Sequence, residues 1–342
     1  MGKKVFIETD ECIGCRSCVK LCPDVFEYDE KARKSHVKLP EGGDEECIDE
    51  AISDCPVECI HWEDVKSTDK VEQTPNAVVT LRNEVSPWLM ILQVVPDGWD
   101  FPDFIPGQFT SLGLLGSAPR CVIAEPENPV AAPDKLIKRA YGISSSPVNR
   151  EFLEFYVALV PGGALTPRLF SLKISDRIWL SPKVGGKFTY DESRVPMDAN
   201  MVLIATGSGL GPFMSMLSTH LKLPVTRRIT LIHGVRHSWD LGFRSTLLAM
   251  QHLRTNFTYI PVVSRPQEEP VPWKGATGHV QDVWKSGAIE KAWSSRPGPE
   301  NTHVFMCGSP QMSEAMITIL QQEGFKEDEK KKPGQIHMEK YW

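Results

Sequence analysis

"LIATGSGLGPFMSML", residues 203–217, passes from an apolar run through a glycine-rich turn into a string of helix formers. The order is strand, tight turn, helix. Glycines at such a turn let backbone approach a pyrophosphate, and the helix start beyond it favours the negative charge. A G-x-G-x-G alone carries little weight, but here it stands between an apolar strand and a helix, the setting such a turn needs. Thr206 and Gly207 line the turn in this reading.

The same alternation continues downstream. "RITLIHGV" precedes "FRSTLLAMQHL", "FTYIPVVS" leads to "GHVQDVW", and "HVFMCG" leads to "PQMSEAMITILQQ". Buried strands feeding amphipathic helices predict a parallel sheet across 196–342, with ligands at the carboxyl ends of its strands. Arg236 ends the second strand and Arg265 the third. Guanidinium forks at those places suit the extra ribose phosphate that distinguishes NADP from NAD.

Upstream, over 76–195, the pattern changes to short β-rich stretches punctuated by Gly and Pro: "NAVVTLRNEV", "WLMILQVV", "GQFTSLGLL", "FLEFYVALV" and "DRIWLSPKV". They predict an antiparallel barrel or sandwich, with "TPRLFSLK" as a short helix inside it. A Pro-rich excursion occupies 116–134. "RAYGISSSP", 139–147, ends a strand: Arg139 offers a fork for phosphate oxygens, and Tyr141 a ring and hydroxyl for a flat cofactor. In "VPGGALTPRLF", 160–170, Gly162 and Gly163 lead into Thr166 at a helix start, where N–H groups form an anion site suited to a pyrophosphate.

Residues 1–66 differ from both. "CIGCRSCVKLCP", 12–23, is a C-x2-C-x2-C-x3-C-P run, the spacing of iron–sulfur ligands. Cys12, Cys15 and Cys18 supply three thiolates, and the remote Cys55–Pro56 pair completes a four-iron four-sulfur set. No second full run exists, so Cys22 has no second cluster to serve. Zinc is a competing reading, weakened because zinc motifs pair C-x2-C units. A three-iron cluster, with Cys15 turned away, is another. The polar stretch "VKSTDKVEQ" marks a linker, placed at 67–75, and nine flexible residues reach roughly 17 Å.

Charge is uneven. Residues 1–66 carry 17 acidic and 9 basic residues, a balance of −8 within a chain of net charge −6. An acidic head on a near-neutral body disfavours nucleic acid as partner and favours docking on a basic surface. No run of about 18 uncharged apolar residues is present, so no membrane span is expected. "MGKKVFIETDEC" lacks an apolar leader, so the expected setting is the reducing cytoplasm, where clustered cysteines bind metal more often than they pair.

Residues 76–342 resemble bacterial-type ferredoxin–NADP reductases in "PGQFTSLG" (106–113), "RAYGISSSP", "VPGGALTPRLF" and the terminal "PGQIHMEKYW". The resemblance implies that Arg139, Tyr141 and Ser144 contact FAD. It also implies that Gly163, Leu165 and Thr166 hold its pyrophosphate and that Trp342 covers the flavin. Cys307 would lie beside nicotinamide and flavin, making Cys307, Ser144 and Tyr141 the residues at the chemistry. Arg236 and Arg265 match the family's phosphate-binding arginines, and His279 stands where a third would fall. Gly142 replaces the usual Ser after the Tyr, so a hydroxyl near the flavin would come from Ser144 or Ser145.

Residues 1–66 resemble bacterial single-cluster ferredoxins, some of which join the two leftover cysteines. A Cys22–Cys47 disulfide and two free thiols both stay open. The expected molecule is α+β and multidomain: a small ferredoxin-like domain, an antiparallel FAD barrel and an α/β NADP domain. The expected activity is electron transfer between NADP(H), FAD and the cluster, and on to an external electron-transfer protein. The alternatives are the reductase component of an oxygenase, and a redox-sensing scaffold without turnover.

Overall fold

The structure, a computed structural model, describes residues 3–63, 74–190, 194–221, 227–329 and 332–339. Most of the expected linker and Trp342 therefore lie outside the described residues.

The head contains two small ribbons and two helices. Strand β1 (Val5–Ile7) pairs antiparallel with β4 (Ile60–Trp62), and β2 (Phe26–Asp29) with β3 (Lys34–Val37). Helix α1 (Ser17–Leu21) follows the cysteine loop and α2 (Glu45–Ser53) precedes Cys55. Asp44 caps α2 by accepting from the Glu46 N–H at 3.1 Å, and Glu45 and Glu46 suit its positive end. Val5, Phe26, Ile48 and Ile60 form the core with the cysteines. Cys22 and Cys47 are joined as a disulfide, Cα atoms 5.8 Å apart, which settles the open pairing. So small a core gains from such a crosslink.

The middle of the chain is a six-stranded antiparallel barrel. Its strands are β5 (Ala77–Ser86), β6 (Leu89–Pro96), β7 (Phe109–Leu115), β8 (Leu136–Gly142), β9 (Leu153–Ala158) and β10 (Arg177–Gly185), in the order β8-β7-β10-β5-β6-β9. A bridge between Ile143, just after β8, and Phe155 of β9 closes the ring. The helix expected over 166–173 is the single turn α3 (Thr166–Leu169). Strand β10 shifts register against β7 between Leu180 and Val184, a bulge held by the Thr110 hydroxyl, which reaches the Ser181 and Lys183 carbonyls.

The last part is the expected parallel sheet. Its strands are β11 (Asn200–Thr206), β12 (Ile229–Val235), β13 (Phe257–Val263), β14 (Ala276–Thr277), β15 (Thr302–Cys307) and β16 (Ile336–Glu339), ordered β14-β13-β12-β11-β15-β16. Helices α4 (Gly211–His220), α5 (Arg244–Leu253), α6 (Val280–Lys285), α7 (Ala288–Trp293) and α8 (Pro310–Gln322) connect them. Strand β12 is buried at every position, as a strand covered on both faces must be. Strand order reverses direction between β11 and β15, so the crevice at their carboxyl ends is the place for a ligand.

The Pro-rich excursion is anchored to the loop before α3. Arg120 donates to the Pro161 and Gly163 carbonyls, and Arg168 of α3 makes a two-pronged pair with Glu127 at 3.0 and 3.1 Å. Both partners are buried, with side chains 3% and 6% exposed. Removing one member of such a pair strands the other charge. Glu127→Ala should therefore cost about 3 kcal/mol in a denaturant titration, whereas alanine at the exposed Asp103, paired with Arg150, should change little.

Candidate functional site

Five thiols surround one small cavity in the head: Cys12, Cys15, Cys18, Cys55 and Cys59, with Ile7, Ile13, Val57 and Ile60 as the apolar wall. The loop that carries the first three is wound tightly. Gly14 has φ +71, and a Cβ there would lie 2.2 Å from the Arg33 carbonyl oxygen. The Gly14 N–H donates to Cys12 Sγ at 3.4 Å. Among the described residues no three Cys, His, Asp or Glu side chains converge on a single ion. The thiols stand around a cavity, as a polynuclear cluster needs. A zinc ion would instead draw four donors to one point. A hydrogen bond with Cys59 holds the Cys12 thiol down at about 5 and the Cys55 thiol at about 7, while burial pushes Cys18 up to about 11. The four expected ligands thus fit an iron–sulfur cluster, and two of them favour the thiolate form.

The head is seated on the barrel through the segment that carries Cys55. Ser111 Oγ of β7 donates to the Pro56 carbonyl at 3.1 Å. Ser181, in the β10 bulge, donates to the Glu58 carboxylate at 2.6 Å, and the Gly186 N–H donates to Asp54 at 3.3 Å. Backbones meet closely here: a Cβ on Gly185 would lie 2.6 Å from the Ser53 carbonyl oxygen. Lys135 pairs with Glu11 at 2.7 Å and Lys187 pairs with Glu50, so acidic head meets basic barrel.

Strand β8 places Arg139 and Tyr141 beside β7, where Ser111 faces Ala140 between them. Both side chains are half-buried, and among the described residues Arg139 has no carboxylate partner. Ser145 Oγ is engaged by the Glu154 N–H at 3.1 Å, but Ser144 Oγ is buried without any partner. Of the two hydroxyls expected in place of the one missing at Gly142, only that of Ser144 is free. An unpaired buried hydroxyl, a guanidinium that meets the Lys138 carbonyl but no carboxylate among the described residues, and a tyrosine ring on one strand end fit a flavin. In the pyrophosphate loop, the Gly163 N–H is committed to the Val160 carbonyl, and the Thr166 hydroxyl bonds back to Val160. Leu165 packs in the barrel core, and its carbonyl accepts from the Arg168 and Leu169 N–H groups at 2.9 and 3.0 Å.

At the nucleotide crevice, Gly207 has φ +55 and opens a 3-10 turn, Gly207–Leu210, before α4. That turn lies between Cys307, whose side chain is buried in the apolar core, and Ser144: a Cβ on Gly209 would lie 2.3 Å from the Cys307 carbonyl oxygen, and one on Gly211 would lie 3.0 Å from Ser144 Oγ. Thr206 Oγ1 accepts from the Ser309 N–H at 2.9 Å, which ties the ends of β11 and β15 together. Arg236 and Arg265 are exposed and adjacent, the Arg265 N–H donating to the Arg236 carbonyl at 3.0 Å. His279 is exposed as well, at the N-cap of α6, where its backbone N–H donates to the Asp282 carboxylate at 2.8 Å.

Residues 7–62 match the family described as the 4Fe-4S single cluster domain of Ferredoxin I, and residues 203–317 match the oxidoreductase NAD-binding domain. The flavodoxin/ferredoxin–NADP reductase of Buchnera aphidicola subsp. Baizongia pistaciae is 30% identical over 241 residues, covering 70% of this chain and 88% of that protein. The chain belongs to the flavodoxin/ferredoxin–NADP reductase family. The Escherichia coli K12 member is 31% identical over 209 residues, covering 61% of this chain and 75% of that protein. A ferredoxin–NADP reductase from Neisseria gonorrhoeae, solved with bound FAD and NADP, shares the fold with a TM-score of 0.65 at 24% identity, across 78% of this chain and 98% of that one.

Two residues of this reductase escaped the reading of its sequence. Cys59 lines the same cavity as the four expected ligands, and no spacing in the cysteine run announces it. Glu339 stands opposite Cys307 in the β15–β16 register, and its only sequence signal is its place in the terminal "EKYW". Burial, with Asp54 of the head adding to it, raises the Glu339 carboxyl to about 8 from its ordinary 4.5. The folded reductase therefore keeps a proton that the unfolded chain releases above about pH 4.5. Stability is lost as pH climbs from there to about 8. Glu339→Gln has no such proton, so its urea midpoint should gain on the parent from pH 5 to pH 8 and keep a constant lead beyond. A lead that does not change with pH would refute the assignment.

Proposed function

We propose that this ferredoxin–NADP reductase carries its own electron acceptor, moving electrons between NADP(H), FAD and a four-iron four-sulfur cluster held by Cys12, Cys15, Cys18 and Cys55. The flavin, when bound, supplies the exchange between a two-electron hydride and the single electrons a cluster accepts. Arg236 and Arg265 bind the ribose phosphate, and Thr206 and Gly207 shape the turn that receives the pyrophosphate. Arg139, Gly142, Gly163, Leu165 and Thr166 hold FAD, Tyr141 and Ser144 orient its ring, and Cys307 closes the crevice where nicotinamide meets it.

The single observation that carries this reading is the seat of the head. The residue after Cys55 is hydrogen-bonded to β7, and β7 is paired with the strand that bears Arg139 and Tyr141. A short covalent and hydrogen-bonded path thus joins the cluster loop to the flavin strand. Cys12 and Cys15 are half-exposed, so the cluster's other side is open to an external electron-transfer protein. No described helix is long and apolar enough to cross a membrane, and we place the enzyme in the cytoplasm. There burial of Cys22 shields its bridge to Cys47.

Anaerobic titration with NADPH should bleach the flavin and then bring up the spin-resonance signal of a reduced cluster. NADH should do so far less readily; equal efficiency would refute the roles of Arg236 and Arg265. Arg236→Ala and Arg265→Ala should each raise KM for NADPH about tenfold, or ~1.4 kcal/mol, with kcat nearly unchanged. Ser181→Ala should slow NADPH-driven cluster reduction severalfold while turnover with a small flavin-level oxidant stays at the parent rate. Added salt should act in the same direction, because the lysine–glutamate pairs at the seat are screened.

A further inference from the structure

The cavity of the head has one thiol more than a four-iron cluster needs. Each iron corner takes one thiolate. Cys12, Cys15 and Cys18 come from one loop and Cys55 from the far segment. Cys59 is 2% exposed and lines the same cavity. Its Sγ lies 3.5 Å from Cys55 Sγ, and its N–H donates to that sulfur at 3.3 Å. Cys59 also hydrogen-bonds the Cys12 thiol, but both its sulfur and its N–H meet Cys55 Sγ, so these two sulfurs reach the same corner, and only one of them can bind it.

This placement is built into the backbone. Glu58 takes the left-handed φ of +53, uncommon for a residue with a side chain. The turn is closed by the Glu58 N–H on the Cys55 carbonyl at 3.0 Å, and it brings the chain back so that Cys59 faces the cavity. Ser181 of the barrel fixes the Glu58 carboxylate, and the Glu8 N–H holds the Cys59 carbonyl at 2.8 Å. Cys59 is thus pinned on both sides, so its position is fixed independently of the thiol it touches.

We propose that Cys59 is a reserve ligand for the iron that Cys55 holds, an inference that rests on the cluster reading above. In the exchange, the bond from iron to Cys55 sulfur breaks and a bond from the same iron to Cys59 sulfur forms. The Cys59 proton passes to Cys55 across the sulfur–sulfur contact. No electron is gained or lost, and the cluster keeps all its irons.

The test uses the full-length protein, purified and reconstituted without oxygen, as parent, Cys55→Ala, Cys59→Ala and the double variant. Iron and sulfide are measured per chain, and spin-resonance spectra are taken oxidised and reduced. The expected result is a full four-iron complement in both single variants, with a shifted reduced-state spectrum only for Cys55→Ala. The double variant should lose one iron and show the oxidised-state signal of a three-iron cluster. Cys55→Ser, which keeps the side-chain size, is read in parallel, and retained flavin reports that the body is folded. A Cys55→Ala protein as iron-poor as the double variant overturns the proposal. Zinc in the parent, or no iron and sulfide at all, overturns the cluster reading itself.

Discussion

The hydrogen bond from Ser111 to the Pro56 carbonyl fixes where the cluster loop meets the barrel, and most of the functional geometry follows from it. It sets the distant cysteine against β7, and thereby against the strand carrying Arg139 and Tyr141. Asp54 and Glu58 flank it with one further bond each to β10 residues or their neighbours. None of these contacts is strong alone, since net hydrogen-bond contributions are about 1 kcal/mol. Exposed lysine–glutamate pairs add less than that. The seat therefore combines precise placement with modest strength.

Two very different kinds of packing hold the parts in register. The barrel and the parallel sheet have large apolar cores, such as that around Phe155, Leu92 and Leu169 and that around Phe305, Phe213 and Leu203. The head has a small one, in which cysteines take the places that aliphatic side chains would fill elsewhere. Its order depends on covalent closure by Cys22–Cys47 and on whatever the remaining thiols bind.

Much of this was legible in the sequence, for physical reasons. Period-two stretches and continuous apolar strands report burial directly, so the barrel strands and the β11–α4 turn were readable. The ligand run declares itself because cluster chemistry tolerates few spacings. Other features depend on partners distant in the chain. Whether Cys22 meets Cys47 is decided by the packing of α1 on α2. That Ser144, rather than Ser145, has a free hydroxyl depends on where β9 passes. Cys59 carries no local sign of its place at the cavity, because nothing near it announces that Glu58 turns left-handed. Glu339 gains its raised proton affinity from burial and from Asp54 of the head, and no window of sequence around it reveals either.

The anchoring of the 116–134 excursion bears on how this molecule can change over time. Arg168 belongs to α3, yet its counter-charge, Glu127, comes from the Pro-rich excursion. Trimming that segment one residue at a time would soon leave a guanidinium sealed in a dry interior. The loop and its neighbour can therefore drift only together, or be lost in a single step with Arg168. The pair acts as a latch on the sequence itself: either charge, once alone, would be stranded in the interior.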